Sequence, residues 1–279
     1  MTYQSIVTVL TDSALDTSVL PQAADLASQM QAHLEVLCLG VDSSQSGYYF
    51  AGANAVILQE ALTRASAEAQ ALDAAARVWL GRADLRWSTD VAMAQASDLG
   101  RLVAGHARFA DLVVLSKPYG AGCGIDQEAV IEGALFGAQV PVLVMPEGLM
   151  PRAAPRRVVI GWNESAEALR AVRAALPLLK TADRVAVTVI DPPVHGPTRS
   201  DPGGPLSQYL ARHGVKVEID ILSRSLPRVS EVLARYCTDA DADMLVMGAY
   251  GHSRFREAIL GGATRDLLEH ARLPVFMAH

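Results

Sequence analysis

With 279 residues, 51% hydrophobic and 19% charged, the chain has apolar material for one large domain or two modest ones, and its 5% aromatic content leaves the packing to Ala, Leu and Val. No apolar run approaches the ~20 residues of a membrane helix, and no basic segment leads into a signal-peptide core, so a cytoplasmic location is expected. The net charge of -6 is uneven, with 7 Lys and Arg against 16 Asp and Glu in residues 1–149 and 17 against 14 in residues 150–279; the acidic total, without a basic run carrying interleaved aromatics, argues against nucleic acid.

In chain order, the apolar run Ser5–Leu10 reads as a strand, residues 20–31 as an Ala/Leu helix and residues 33–39 as a second strand that leads to an Asp. A long helical segment covers residues 53–80. Residues 110–116 and 141–145 are further strands, and the Pro- and Gly-containing stretch 146–155 reads as a linker. The pattern then returns: a strand at 157–160, a helix at 166–179, a strand at 184–190 ending in Asp191, a Pro/Gly loop at 192–205, and strands at 243–247 and 274–277. The segment from Ala110 to Ser116 matches that from Ala242 to Gly248, and the two Pro-Val strands at 141 and 274 follow at nearly the same separation. Strand and helix alternate about five times in each copy. Two tandem doubly wound α/β domains are therefore expected, residues 1–149 and 150–279, each with a five-stranded, mainly parallel sheet of Rossmann-like type.

Cys38, Cys123 and Cys237 are widely spaced and lack any C-x-x-C or paired His pattern. Neither a zinc site nor a disulfide framework is indicated. Cys38 falls in a strand and Cys237 on a helix, where thiols are usually buried and inert, whereas Cys123 lies in the glycine loop 120–124.

The last third carries Gly248 and Gly251 after the strand, and Gly261, Gly262, Ala263 and Thr264 at the start of a helix over residues 263–270. Backbone amides at a helix N-terminus lack internal partners and sit at the positive end of the dipole, so this is a place to hold an anion such as phosphate. A second reading stands beside it: Gly248 and Gly251 turn the chain, and Gly261-Gly262 opens a helix beneath close packing. The first copy lacks the signature, with Ser116 and Tyr119 in the places of Gly248 and Gly251 and an acidic Glu128 near the helix start.

The segment resembles the universal stress protein family, whose ATP-binding members carry Gly, two residues, Gly, nine residues, Gly and then Ser or Thr. Gly248, Gly251 and Gly261 match, while Gly262 stands where the family has its hydroxyl. The resemblance is strong over residues 156–279 and a matter of pattern over 1–149, and it implies the adenine nucleotide alpha hydrolase-like fold with a degenerate first domain. It also implies that Asn163, after Gly161, stands in for the family's Asp at the adenosine end, that Val189 lies against adenine, that Met247 and Gly248 pass beside base and ribose, and that His252 lies in the phosphate loop. On this reading the ligand is ATP or AMP, no cofactor is required, no metal is held and no catalysis is expected. The alternatives are a nucleotide-independent interaction module with an unknown protein partner and, lower, a slow ATPase. The family pairs domains through their last strands, so residues 141–145 and 274–277 are expected side by side as an intrachain pseudo-dimer, which is compatible with a further homodimer.

Overall fold

The computed structural model describes residues 2–12, 19–42, 54–120, 123–192, 201–249 and 262–279. Tyr3–Val140 forms one compact unit, and Pro141–His279 makes up most of the other. In the first, β1 (Ser5–Leu10), β2 (His33–Asp42), β3 (Arg86–Gln95) and β4 (Leu112–Ser116) run parallel in the order β3-β2-β1-β4. The helices are α1 (Val19–Met30), α2 (Asn54–Leu80), α3 (Leu99–Ala107) and α4 (Ile125–Glu132). The apolar runs fill the centre: β1 is buried beyond its first residue, and Leu112 to Leu115 of β4 are all buried. β3 is different. Its residues alternate between exposed and half-buried along most of its length, as befits a strand at the sheet edge, and this weak apolar signal is why the sequence pattern does not single it out.

The second unit contains β5 (Val142–Met145), β6 (Arg157–Gly161), β7 (Arg184–Ile190), β8 (Val217–Leu222), β9 (Met244–Gly248) and β10 (Val275–Ala278). They lie in the order β5-β10-β9-β6-β7-β8, all parallel except β5, which runs antiparallel to β10 with Val144 opposite Val275 and Val142 opposite Met277. The two Pro-Val strands thus do lie side by side. The helices are α5 (Ala166–Leu179), α6 (Gly204–Arg212), α7 (Val229–Asp239) and α8 (Gly262–His270). The linker-like stretch packs on this unit: Pro151 and Pro155 are buried, and the Ala153 carbonyl accepts a hydrogen bond from Thr181 Oγ1 at 3.3 Å.

The repetition seen in the sequence has a structural counterpart. Asp111 Oδ2, just before β4, accepts the backbone amides of Gln4 and Ser5 at 2.7 and 3.1 Å. Asp243 Oδ2, just before β9, accepts those of Arg156 and Arg157 at 2.6 and 3.1 Å. A carboxylate that takes two strand-initial amides satisfies donors the ladder leaves over, and fixes the register of the neighbouring strands. With this pair as reference, Gly161 corresponds to Val9, Asn163 to Thr11, Met247 to Leu115 and Gly248 to Ser116. No described helix is long and apolar enough to cross a membrane.

Candidate functional site

The order β10-β9-β6-β7-β8 contains a reversal. From β6 the chain moves outward through β7 to β8, then returns to the other side of β6 to form β9. Loops leaving β6 and β9 therefore part at the carboxyl edge and open a crevice, the usual ligand position in such sheets. The register delivers the expected residues to that edge: Gly161 of β6 stands opposite Thr188 of β7 and Met247 of β9, with Val189 and Gly248 one residue further along. Sequence-distant Gly161, Val189, Met247 and Gly248 are thereby brought together.

Gly248, Gly161 and Val189 have a packing role as well. A Cβ on Gly248 would lie 2.4 Å from the Ala168 backbone nitrogen and 2.8 Å from the Glu167 carbonyl carbon, so the missing side chain is what lets the first turn of α5 rest on β9. The approach is close because the buried stripe of α5 contains Ala168, Ala171, Val172 and Ala175, three of the four being alanine. A Cβ on Gly161 would meet Leu233 Cδ2 of α7 at 3.1 Å. Val189 is buried, and Gly203, at φ +88° before α6, lies over it. Glycine is needed at position 203 because an L side chain rarely adopts that backbone conformation.

After β6 the chain turns through Asn163, Glu164 and Ser165 into α5. Asn163 Oδ1 accepts the Ser165 amide at 3.2 Å, Glu164 takes a left-handed conformation at φ +63°, and Ser165 Oγ caps the helix by accepting the Ala168 amide at 3.1 Å. The Asn163 side chain is exposed, and its NH2 group donates to no described residue. Ser165 is not part of the glycine motif, and its signal in the sequence is that of a helix cap, a Ser directly before an Ala/Leu helix.

After β9, α8 begins at Gly262, which is exposed; a Cβ there would have open space for 4 Å around it. Thr264, by contrast, is 5% exposed and belongs to the packed side of the helix. Ala263 falls within this first turn. The helix is fixed by Asp266, which accepts Ser230 Oγ at 2.6 Å and Arg228 Nη1 at 2.5 Å from the start of α7. The Ser230 hydroxyl, helped by the Arg228 charge, holds the Asp266 carboxyl below its ordinary pKa. These three residues are not in the glycine motif and nothing in their spacing announces them. Gly251, His252 and Gly261 lie outside the described residues.

The matching place in the first unit is filled. Val9, Thr11, Leu115, Ser116, Gln127 and Val130 surround a cavity of about 10 Å³, and Gln127 Nε2 of α4 reaches Thr11 Oγ1 at 3.5 Å. Burial pushes the thiols of Cys38 and Cys237 up to about 12, while Cys123 is half-buried with its Sγ 3.4 Å from the Lys117 carbonyl.

A doubly wound sheet with its crevice at the strand reversal, repeated along one chain, defines a class of tandem α/β proteins. Residues 155–279 match the model of the Universal stress protein family, and this half of the chain belongs to that family. A universal stress protein of Synechocystis sp. is 34% identical over 94 residues, covering 30% of this chain; the match spans about a third, 32%, of that relative's length. The crystal structure of a universal stress protein from Archaeoglobus fulgidus DSM 4304 is similar over 98% of this chain and 95% of its own, with a TM-score of 0.74 at 14% identity. A functionally unknown protein from Pseudomonas aeruginosa PAO1 covers 98% of this chain and 92% of its own, with a TM-score of 0.54 at 15% identity. At these identities the structures establish the shared fold.

Proposed function

We propose that the second half is a regulatory nucleotide-binding module that holds ATP or AMP at the carboxyl edge of β6, β7 and β9 and alters the protein's contacts with a partner on occupancy, without turnover. The observation that carries this reading is the gathering of Gly161, Val189, Met247 and Gly248 at the strand reversal, on the edge from which the chain passes from β9 to α8, whose first residue is exposed. Free amides at that helix end supply the anion-binding potential, and the Asn163 NH2 supplies a donor toward the nucleoside. The first half, with Val9 in place of Gly161 and its crevice closed, serves as partner domain in the cytoplasm or in a further homodimer.

Gly262 gives the test a direction. The open space around it admits a Ser side chain, so Gly262→Ser restores the family's hydroxyl without a clash. Isothermal titration of the full chain with ATP and AMP is expected to show one site, with Gly262→Ser binding about tenfold tighter, the size of one hydrogen bond to a charged group. Absence of heat and of thermal shift at millimolar nucleotide in both proteins overturns the reading. The rival, an interaction module needing no nucleotide, draws on Gly248 and Gly161, whose places against α5 and α7 account for them without a ligand.

A further inference from the structure

On the other half of the chain, away from the filled crevice, β2 and β3 present a polar face. Glu35 pairs with Ser88 and Leu37 with Asp90 in the parallel ladder, so Glu35 and Asp90 are diagonal neighbours. The 2.8 Å contact between His33 Nε2 and Ser88 Oγ places these alternate residues of both strands on one side. From the last turn of α3, His106 reaches the same spot, its Nδ1 3.3 Å from Asp90 Oδ2. One ligand atom from each of Glu35, Asp90 and His106 lies within 4.8 Å of the others. The second Asp90 oxygen takes the Val91 amide at 2.9 Å, which orients the carboxylate.

The charges are not otherwise balanced. Among the described residues Glu35 has no hydrogen-bond or ion-pair partner, and no Lys or Arg pairs with Asp90. The second half handles the same place differently. Ala186 stands for Glu35, Asp220 for Asp90 and Tyr236 for His106; the Tyr236 hydroxyl donates to Asp220, and Arg184 neutralises the adjacent Glu218. That set is self-satisfied. The first half has His33 in place of the arginine and Ser88 in place of Glu218; it keeps two carboxylates, as Glu35 and Asp90, and adds the imidazole of His106, and carboxylate and imidazole are both metal ligands.

We propose that Glu35, Asp90 and His106 bind a divalent first-row transition-metal ion of the zinc class. Ligand atoms about 2.0–2.2 Å from a tetrahedral ion stand roughly 3.3–3.5 Å apart. The His106–Asp90 separation of 3.3 Å already meets this, and Glu35, half-buried on a two-methylene arm, closes from within 4.8 Å by rotation. An imidazole beside two carboxylates selects Zn²⁺, Co²⁺ or Mn²⁺ over Ca²⁺ and Mg²⁺, and three protein ligands leave a position for water. The site is independent of the nucleotide reading, being built from other residues in the other unit.

Chelator-stripped, untagged full-length protein titrated with Zn²⁺ in a calorimeter and with Co²⁺ by visible absorption tests this. One ion per chain is expected, with the ligand-field bands of Co²⁺ appearing at the same stoichiometry. His106→Gln and Glu35→Gln are each expected to weaken binding roughly tenfold or more, while Asp98→Asn, which removes a carboxylate of the same unit that pairs with Arg101, leaves it unchanged; thermal melting in chelator confirms that each variant folds. No binding at millimolar metal, or undiminished binding in both Gln variants, overturns the proposal.

Discussion

The two halves share a frame and differ where ligands would touch. Asp111 and Asp243 perform the same task at the amino edge, each taking two strand-initial amides. At the carboxyl edge the first half has Val9 and Ser116 and a cavity of about 10 Å³, whereas the second has Gly161 and Gly248. On the β2–β3 face the contrast reverses, with the polar set of the second half self-neutralised and that of the first left open. Duplicated domains thus keep what holds strands in register and diverge in the side chains that line crevices, because only the former is demanded by the fold.

Substitutions that treat the halves as equivalents test this contrast. The largest effect is expected at Gly248→Ala, where the new Cβ meets the Ala168 nitrogen at 2.4 Å; backbone cannot rotate aside, so the second half should lose about 3 kcal/mol in urea unfolding, the upper end of overpacking costs. Ser116→Ala, at the matching place, should cost less than about 1 kcal/mol. A similar loss at both sites would break the claim that Gly248 is specific to the way α5 lies on β9. Asp243→Ala and Asp111→Ala should each cost about 2 kcal/mol, since each strands two amides; markedly unequal values would show that the shared frame is not shared energetically.

A smaller effect separates the halves by pH. The folded pKa of Asp266 is depressed by Ser230 and Arg228, so its contribution is complete above the unfolded carboxylate value near ~3.9 and is lost as pH falls through the lower folded value. Acid unfolding of the second half should therefore become shallower in Asp266→Asn, with stability at neutral pH lower in the variant by about 1 kcal/mol. The smallest expected signal is chemical: a thiol reagent at pH 8 should label Cys123 in the native protein, and Cys38 and Cys237 only after unfolding, because burial holds their thiols protonated. Rapid native labelling of all three would contradict the packing of β2 and α7.

Much of the fold was legible because its central strands are continuous apolar runs and its helices carry period-3.6 stripes. The helix expected over residues 166–179 is α5 as observed, and that expected over 20–31 is shifted by one residue, to Val19–Met30. β3 was not legible, since an edge strand buried weakly on both faces has no apolar signature. The site was legible in part. Glycine spacing pointed to Gly248 and Gly262 but not to the difference between them: one is closed off by Ala168 and the other stands open. Asp266, Ser230 and Arg228, which fix α8, follow no motif.

The order of residues alone dictates the repeat, the alternation of strand and helix, and the uneven charge, since these depend on neighbours along the chain. The tertiary structure decides which strands adjoin, and so brings Gly161, Val189, Met247 and Gly248 to one edge and Glu35, Asp90 and His106 to one face. The physical reason is that parallel pairing joins segments far apart in sequence, and the register of that pairing, rather than any local spacing, sets which side chains meet.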